Sequence, residues 1–190
     1  MSWGRVARLN PDDVSASRGD GDRAPMFTAI YRSLSPAVAG YLRAGGVDDP
    51  EAVTHDVFLA LYPKLGAVHG GAEGVRVLVF SIAHARLVDH HRRRGRAAAP
   101  VEYDPCRDHR LSASAEDLVV DGDAEADALA MLAGLSADHR EVLRLRIIAE
   151  LSVNEVATIM QKSPAAVMQL QRRALVSLRK QLTIGSGVPG

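Results

Sequence analysis

One cysteine, Cys106, stands in the 190 residues. It excludes an internal disulfide, fits a reducing compartment and cannot build a cysteine-based zinc site. Aromatic residues make up only 4% of a chain that is 47% hydrophobic, so a core must come from alanine, valine and leucine, which suits helices packed along slim seams. No apolar run approaches the ~20 residues that cross a bilayer. Residues 1–25 are charged throughout, so neither membrane insertion nor a secretory signal is expected, and the expected location is the cytoplasm. Alternation with period two, the mark of a half-buried sheet, is missing. The glycine-rich stretch Gly66–Gly74, expected to be a loop, lacks the lysine and spacing of a phosphate-binding loop. His84, His90 and His91 lie close together. Adjacent helical residues diverge by about 100°, however, and no well-spaced carboxylate completes a metal site. With no readable nucleophile–base pair either, neither an enzyme nor a cofactor is expected.

Net charge is also lacking, with 23 basic residues against 23 acidic ones. The distribution is uneven. Arg86, Arg92, Arg93, Arg94 and Arg96 face only Asp89 in one short block, and the stretch Arg140 to Lys180 is mostly basic. The balancing acids sit between them, among them Glu102, Asp104, Asp108, Glu116, Asp117, Asp121, Asp123, Glu125 and Asp127. Two basic blocks flanking an acidic segment imply two nucleic-acid contacts on one chain.

Hydrophobic periodicity then lays out an all-α chain of two small helical domains on an acidic, flexible tether. Residues 1–24 form a polar extension without periodicity. Domain 25–96 carries three stripes. The first is Phe27, Ile30, Tyr31, Leu34, Val38, Tyr41 and Leu42, with Pro36 expected to bend or divide the helix. The second is Val53, Val57, Phe58, Leu61, Tyr62 and Leu65, stopping near Pro63. The third is Val75, Leu78, Val79, Ile82 and Leu87. Residues 97–123, with Pro100, Pro105 and serines, read as the linker. Domain 124–184 follows, with helices predicted over Ala124–Ala133 and Asp138–Ile148, the latter started by Ser136, and a short tail at 185–190.

The end of that second domain is the sharpest motif. Ser152 and Glu155 make a capping box flanked by Leu151 and Val156 at hydrophobic-staple spacing. Ser163-Pro164 is an N-cap followed by proline at the first helical position. Only Gln161-Lys162 separates the two helices, the layout of a helix-turn-helix. Its second helix, ending in Arg172, Arg173, Arg179 and Lys180, suits the DNA major groove. Ser163, Ala165, Ala166, Met168, Gln169 and Arg172 are the candidate groove-facing residues. Gln169 can pair with adenine and Arg172 with guanine or a phosphate. Arg173 is left between a phosphate contact and an internal ion pair, while Val167, Ala174 and Leu178 read as core.

These motifs resemble the extracytoplasmic-function sigma factors, the smallest members of the sigma-70 family. Glu51–Leu59, EAVTHDVFL, resembles the family's E-D-L-T-Q-E-V-F-L. Leu78–Arg94, LVFSIAHARLVDHHRRR, is similar to W-L-x-x-I-A-x-N-x-x-x-D-x-x-R-R-R, with Leu78 for the tryptophan and Ala85 for the asparagine. Leu132-x-x-Leu135-Ser136-x-x-x-Arg140, Ser152-x-x-Glu155-Val156-Ala157 and Arg173-Ala174-Leu175-x-x-Leu178-Arg179 resemble the second domain's motifs. In that domain Gln161 stands for the turn glycine, and Met168 and Leu170 stand where cations are usual.

The resemblance implies a factor that binds core RNA polymerase and directs promoter-specific initiation. Glu51, Thr54, His55, Asp56 and Phe58 would form the polymerase-binding segment. Asp56, His55 and Thr54 would face the β′ clamp helices, with Val53, Val57 and Phe58 inward. Arg86, Asp89, Arg92, Arg93, Arg94 and Arg96 would act at the −10 element, and the helix from Pro164 would read the −35 element. Implied partners are the β′ clamp helices and β flap of the polymerase, promoter DNA and an anti-sigma factor. The alternative is a helix-turn-helix regulator that binds duplex DNA without polymerase, and a third reading is a helical adaptor or anti-sigma module.

Overall fold

The computed structural model describes residues 23–97 and 134–185. The expected linker, the helix over Ala124–Ala133, the tail beyond Gly185 and the extension before Arg23 lie outside these residues. Among the described residues there are six α-helices and no strand: α1 (Arg23–Ala44), α2 (Pro50–Leu61), α3 (Gly71–Ala97), α4 (Ala137–Leu143), α5 (Val153–Ile159) and α6 (Pro164–Gly185). A 3₁₀ segment at Tyr62–Ala67 follows α2, and a π turn at Arg144–Ile148 follows α4.

Most of the stripes read from the sequence become the core, while Tyr31 and Tyr62 stay partly exposed. In α1, Met26, Ile30, Leu34, Val38, Tyr41 and Leu42 are buried at steps of three and four, which places them on one helical face. They meet Val57, Phe58 and Leu61 of α2 and Val75, Val79 and Leu87 of α3, all buried. Each such side chain, fully buried, contributes roughly 1.5–3 kcal/mol. Pro36 neither divides nor ends α1. It sits on the exposed side, where water can serve the carbonyl that its missing N–H leaves unbonded.

Helix starts are satisfied by side chains. Asp49 accepts from the Ala52 amide at 2.9 Å, with Pro50 at the first helical position. The Ser136 hydroxyl accepts from His139 at 3.4 Å. The expected loop at Gly66–Gly74 is mostly structured, because α3 already begins at Gly71. Gly70 and Gly71 adopt φ of +88° and +59°, and a Cβ on Gly74 would lie 1.9 Å from the His69 carbonyl oxygen. The glycines there are a tight helix entry, a use that open-loop composition does not separate from flexibility.

The second helical unit, α4–α6, packs around Leu135, Val142, Leu143, Leu145, Leu151, Val156, Ile159, Val167 and Ala174. The helix predicted over Asp138–Ile148 ends earlier as α-helix, at Leu143, and continues as the π turn. The two units then pack directly against each other, α5 on α3 and the π turn on α1.

Candidate nucleic-acid interface

Three surfaces carry the residues singled out above. On α2, Glu51, His55 and Asp56 are exposed, as is the neighbouring Leu59 at 57%. Glu51 is engaged by Arg43 at 2.5 Å, both side chains being well exposed. The expectation for Thr54 needs correction, whereas Phe58 packs inward as expected. Thr54 is buried, not outward-facing, and its hydroxyl donates to the Pro50 carbonyl at 2.7 Å. Phe58 is buried, wedged edge-on against Tyr31 and Phe27 with centroids 4.8 and 6.2 Å away. Both therefore shape the face from behind instead of touching a partner. The outward surface is acidic and apolar together: Asp56 and Leu59, with Tyr31 and Tyr62 partly exposed beside them.

The C-terminal half of α3 projects the arginine block. Arg86, Arg92, Arg93, Arg94 and Arg96 are exposed and Asp89 is half-buried. Arg94 pairs with the exposed Asp48 at 3.0 Å, a contact of little energetic weight in water. Arg94 and Arg96 occupy the last turn, where cations suit the helix dipole. Leu78 packs half-buried against the core.

The helix-turn-helix is built as its caps prescribe. Ser152 Oγ accepts from the Glu155 amide at 3.2 Å, and Glu155 Oε2 accepts from the Ser152 amide at 2.6 Å. Leu151 and Val156 beside the box are fully buried. Ser163 Oγ accepts from the Ala166 amide at 3.2 Å, so α6 starts at Pro164 as its N-cap dictates. Gln161 adopts φ +53°, the left-handed conformation that a turn glycine would enter without strain. Along α6, Val167 and Ala174 are buried and Leu170 and Leu178 half-buried against the core. Leu170 is therefore a packing residue and not a missing phosphate contact. Ser163, Ala165, Met168, Gln169, Arg172 and Arg173 are exposed, with Ala166 half-buried. Residues 165, 168, 169, 172 and 176 share one face by helical spacing. Arg146, which drew no attention in the sequence, pins α6: its guanidinium donates to Gln171 Oε1 at 3.1 Å and also to the Leu151 carbonyl.

A buried polar cluster joins the two units. The Tyr41 hydroxyl on α1 donates to Glu141 Oε1 on α4 at 2.6 Å, and His84 Nδ1 on α3 lies 2.7 Å from the same oxygen. Arg144 donates to Glu141 Oε2 at 2.7 Å and to the Ala44 carbonyl at 3.4 Å. Burial pushes the Glu141 carboxyl up, but the His84 hydrogen bond, the Arg144 charge and the Tyr41 hydroxyl outweigh it and hold it at about 2. Burial, then the Glu141 charge, pushes the Tyr41 hydroxyl up. His91, beside the cluster, is held down by burial and by Arg144, His90, Arg140 and Arg94. The one sequence signal for this cluster was two charges, Glu141 and Arg144, set among Val142, Leu143 and Leu145. The histidines take no metal-like arrangement: among the described residues no group of His, Cys, Asp and Glu could hold an ion.

Among the described residues an acidic, apolar helix face, an arginine-rich helix end and a helix-turn-helix thus stand on an all-helical scaffold. Comparison with known proteins makes this specific. Residues 131–180 match the family described as Sigma-70, region 4. The chain is 30% identical over 180 residues to the ECF RNA polymerase sigma factor SigD of Mycobacterium tuberculosis, covering 90% of this chain and 83% of that one. It is 26% identical over 167 residues to the ECF RNA polymerase sigma factor BldN of Streptomyces coelicolor, covering 87% and 63%. Its fold is similar to that of the sigma factor RpoE solved with the anti-sigma factor NepR from Bartonella quintana. That match has a TM-score of 0.63 and 21% identity, covering 83% of this chain and 97% of that one. A further similar structure is CnrH in complex with the cytosolic domain of CnrY, with a TM-score of 0.64 and 21% identity, covering 96% and 100%. The chain belongs to the extracytoplasmic-function sigma factors, alternative sigma factors that direct transcription.

Proposed function

We propose that the chain binds core RNA polymerase through the outward face of α2, holds the −10 element with the arginines of α3 and reads the −35 duplex with α6. The observation that carries this reading is the pairing of two separate basic surfaces with one acidic, apolar helix face. A duplex-binding regulator has no use for the third. At that face, exposed Asp56 supplies charge complementary to a basic partner. Screened surface pairs contribute only about 0–1 kcal/mol each, so the adjoining Leu59, Tyr31 and Tyr62 supply most of the affinity. On α3 the arginines hold the backbone of an opened strand. On α6, Gln169 and Arg172 offer hydrogen bonds to base edges and phosphate, and Met168 offers apolar contact to a thymine methyl.

Its partners are core polymerase, with β′ clamp helices at α2 and the β flap at the second unit, promoter DNA, and an anti-sigma factor of the kind seen with its structural relatives. The protein acts in the cytoplasm, where polymerase works, and supplies specificity while catalysing no reaction itself. The reading as an independent regulator is not favoured by the family. Run-off transcription with bacterial core polymerase on a genomic fragment pool tests the proposal. Discrete transcripts that require the protein and disappear with Asp56→Arg are expected. Absence of transcripts, together with tight duplex binding by the protein alone, would refute it.

A further inference from the structure

We propose that the seam between the start of α4 and the middle of α6 is a phosphate grip, in which His139 joins Arg173 and Ser177 in holding one strand of the −35 duplex. The inference rests on the assignment of α6 to that element and adds a contact from outside the recognition helix. A shallow hollow of about 460 Å³ lies along the seam. It is lined by His139 of α4 and by Gln169, Arg172, Arg173, Val176 and Ser177 of α6. On α6, residues 169, 173 and 177 step by four and form a row beside residues 172 and 176. His139 and Ser177 are half-buried, whereas Gln169, Arg172, Arg173 and Val176 are exposed. The hollow therefore runs from the packed seam out onto the groove-facing side.

No acidic side chain lines this hollow. The carboxylates nearest to His139 in the chain are committed elsewhere. Asp138 pairs with Lys162 at 3.1 Å, and Glu141 is buried against Tyr41, His84 and Arg144. Neither Arg172 nor Arg173 forms an ion pair among the described residues, and the His139 imidazole has no hydrogen-bond partner among them. Among those residues the internal ion pair is thus removed as a role for Arg173. An imidazole, a guanidinium and a hydroxyl all donate hydrogen bonds, and in an acid-free hollow nothing repels an anion. A helix lying in the major groove is flanked by sugar–phosphate strands. Contacts at its flank fix register, while the groove-facing side chains read bases. With Gln169 turned to a base edge, Arg173, Ser177 and His139 sit over the strand that borders the groove. The duplex is then held against two helices, and Gln169 and Arg172 meet the bases in a single register.

Phosphate ethylation interference tests the grip, using the full chain in holoenzyme on a promoter fragment recovered from the run-off pool. With the wild type, ethylation of phosphates bordering the −35 element should block binding. His139→Ala should abolish the block at one phosphate, and Arg173→Ala should abolish it at the same phosphate or its neighbour. Affinity should fall about fivefold with His139→Ala, equally on the intact fragment and on one with a mismatched −35 element. His139→Arg guards against a variant that merely folds poorly. It should bind at least as tightly as the wild type and steepen the fall of log affinity with log salt by about 0.9. The grip is overturned if His139→Ala keeps every blocked phosphate of the wild type, or if His139→Arg leaves the salt slope unchanged. It is also overturned if the loss with His139→Ala is confined to the intact −35 sequence, which would place the ring on a base edge. A wild-type holoenzyme with no blocked phosphate upstream of the −10 element would refute the assignment of α6 itself, and the grip with it.

Discussion

Replacing Glu141 with glutamine should flatten the acid limb of the stability profile. The side chain is 7% exposed, and its carboxyl is held at about 2 against an ordinary 4.5. A depressed carboxyl contributes stability that is present above its unfolded value and lost as pH falls through 4.5 towards 2. At 1.36 kcal/mol per unit that difference is worth about 3 kcal/mol at neutral pH. Glutamine preserves shape and one acceptor but no charge, leaving buried Arg144 uncompensated, which costs roughly 3–5 kcal/mol for a broken buried pair. Urea denaturation of both proteins at several pH values between 7 and 3 measures this. The wild type should approach the variant as pH falls below 4.5. Two profiles that run parallel down to pH 3 would refute the argument, because the carboxylate would then have no special native environment.

Other consequences follow from the same geometry. Ser152→Ala removes one arm of the capping box and should lower stability by about 1 kcal/mol, read from the shift in urea midpoint. Gln161→Gly relieves a left-handed φ of +53° and should raise stability by roughly 0.5–1 kcal/mol once glycine's greater unfolded entropy is counted. A melting temperature that falls would reject that account of the turn. Arg172→Ala should weaken −35 duplex binding by the holoenzyme about 10-fold and reduce the slope of log affinity against log salt by about one, if the guanidinium sits on a phosphate. Unchanged salt dependence would place it on a base edge instead.

Helices whose apolar steps run at three and four residues were legible because burial follows that period: Ile30, Leu34, Val38 and Tyr41 all lie in the core. The caps at Ser136, Ser152 and Ser163 were legible because each is a local bond between residues three apart. Less could be read where a side chain's role depends on a distant element. Thr54 sits beside His55 and Asp56 in a polar run, and only the packing of α2 on its neighbours turns it inward. The glycines at 70, 71 and 74 are ambiguous in sequence because open loops and tight helix entries use the same residue. Tyr41, His84 and Glu141 could not be joined at all, since 43 to 100 residues separate the pairs.

Glu155 divides its labour between its two oxygens. Oε2 accepts the Ser152 amide at 2.6 Å, while Oε1 faces Arg76 of α3 at 3.0 Å. The cap and the cross-unit pair therefore do not compete, and withdrawing α3 takes nothing from the start of α5. The first turn of α5 is tied by its own residues, whatever Arg76 does. Amide hydrogen exchange at Ser152 and Glu155 should thus stay as slow in an Arg76→Ala variant as in the wild type.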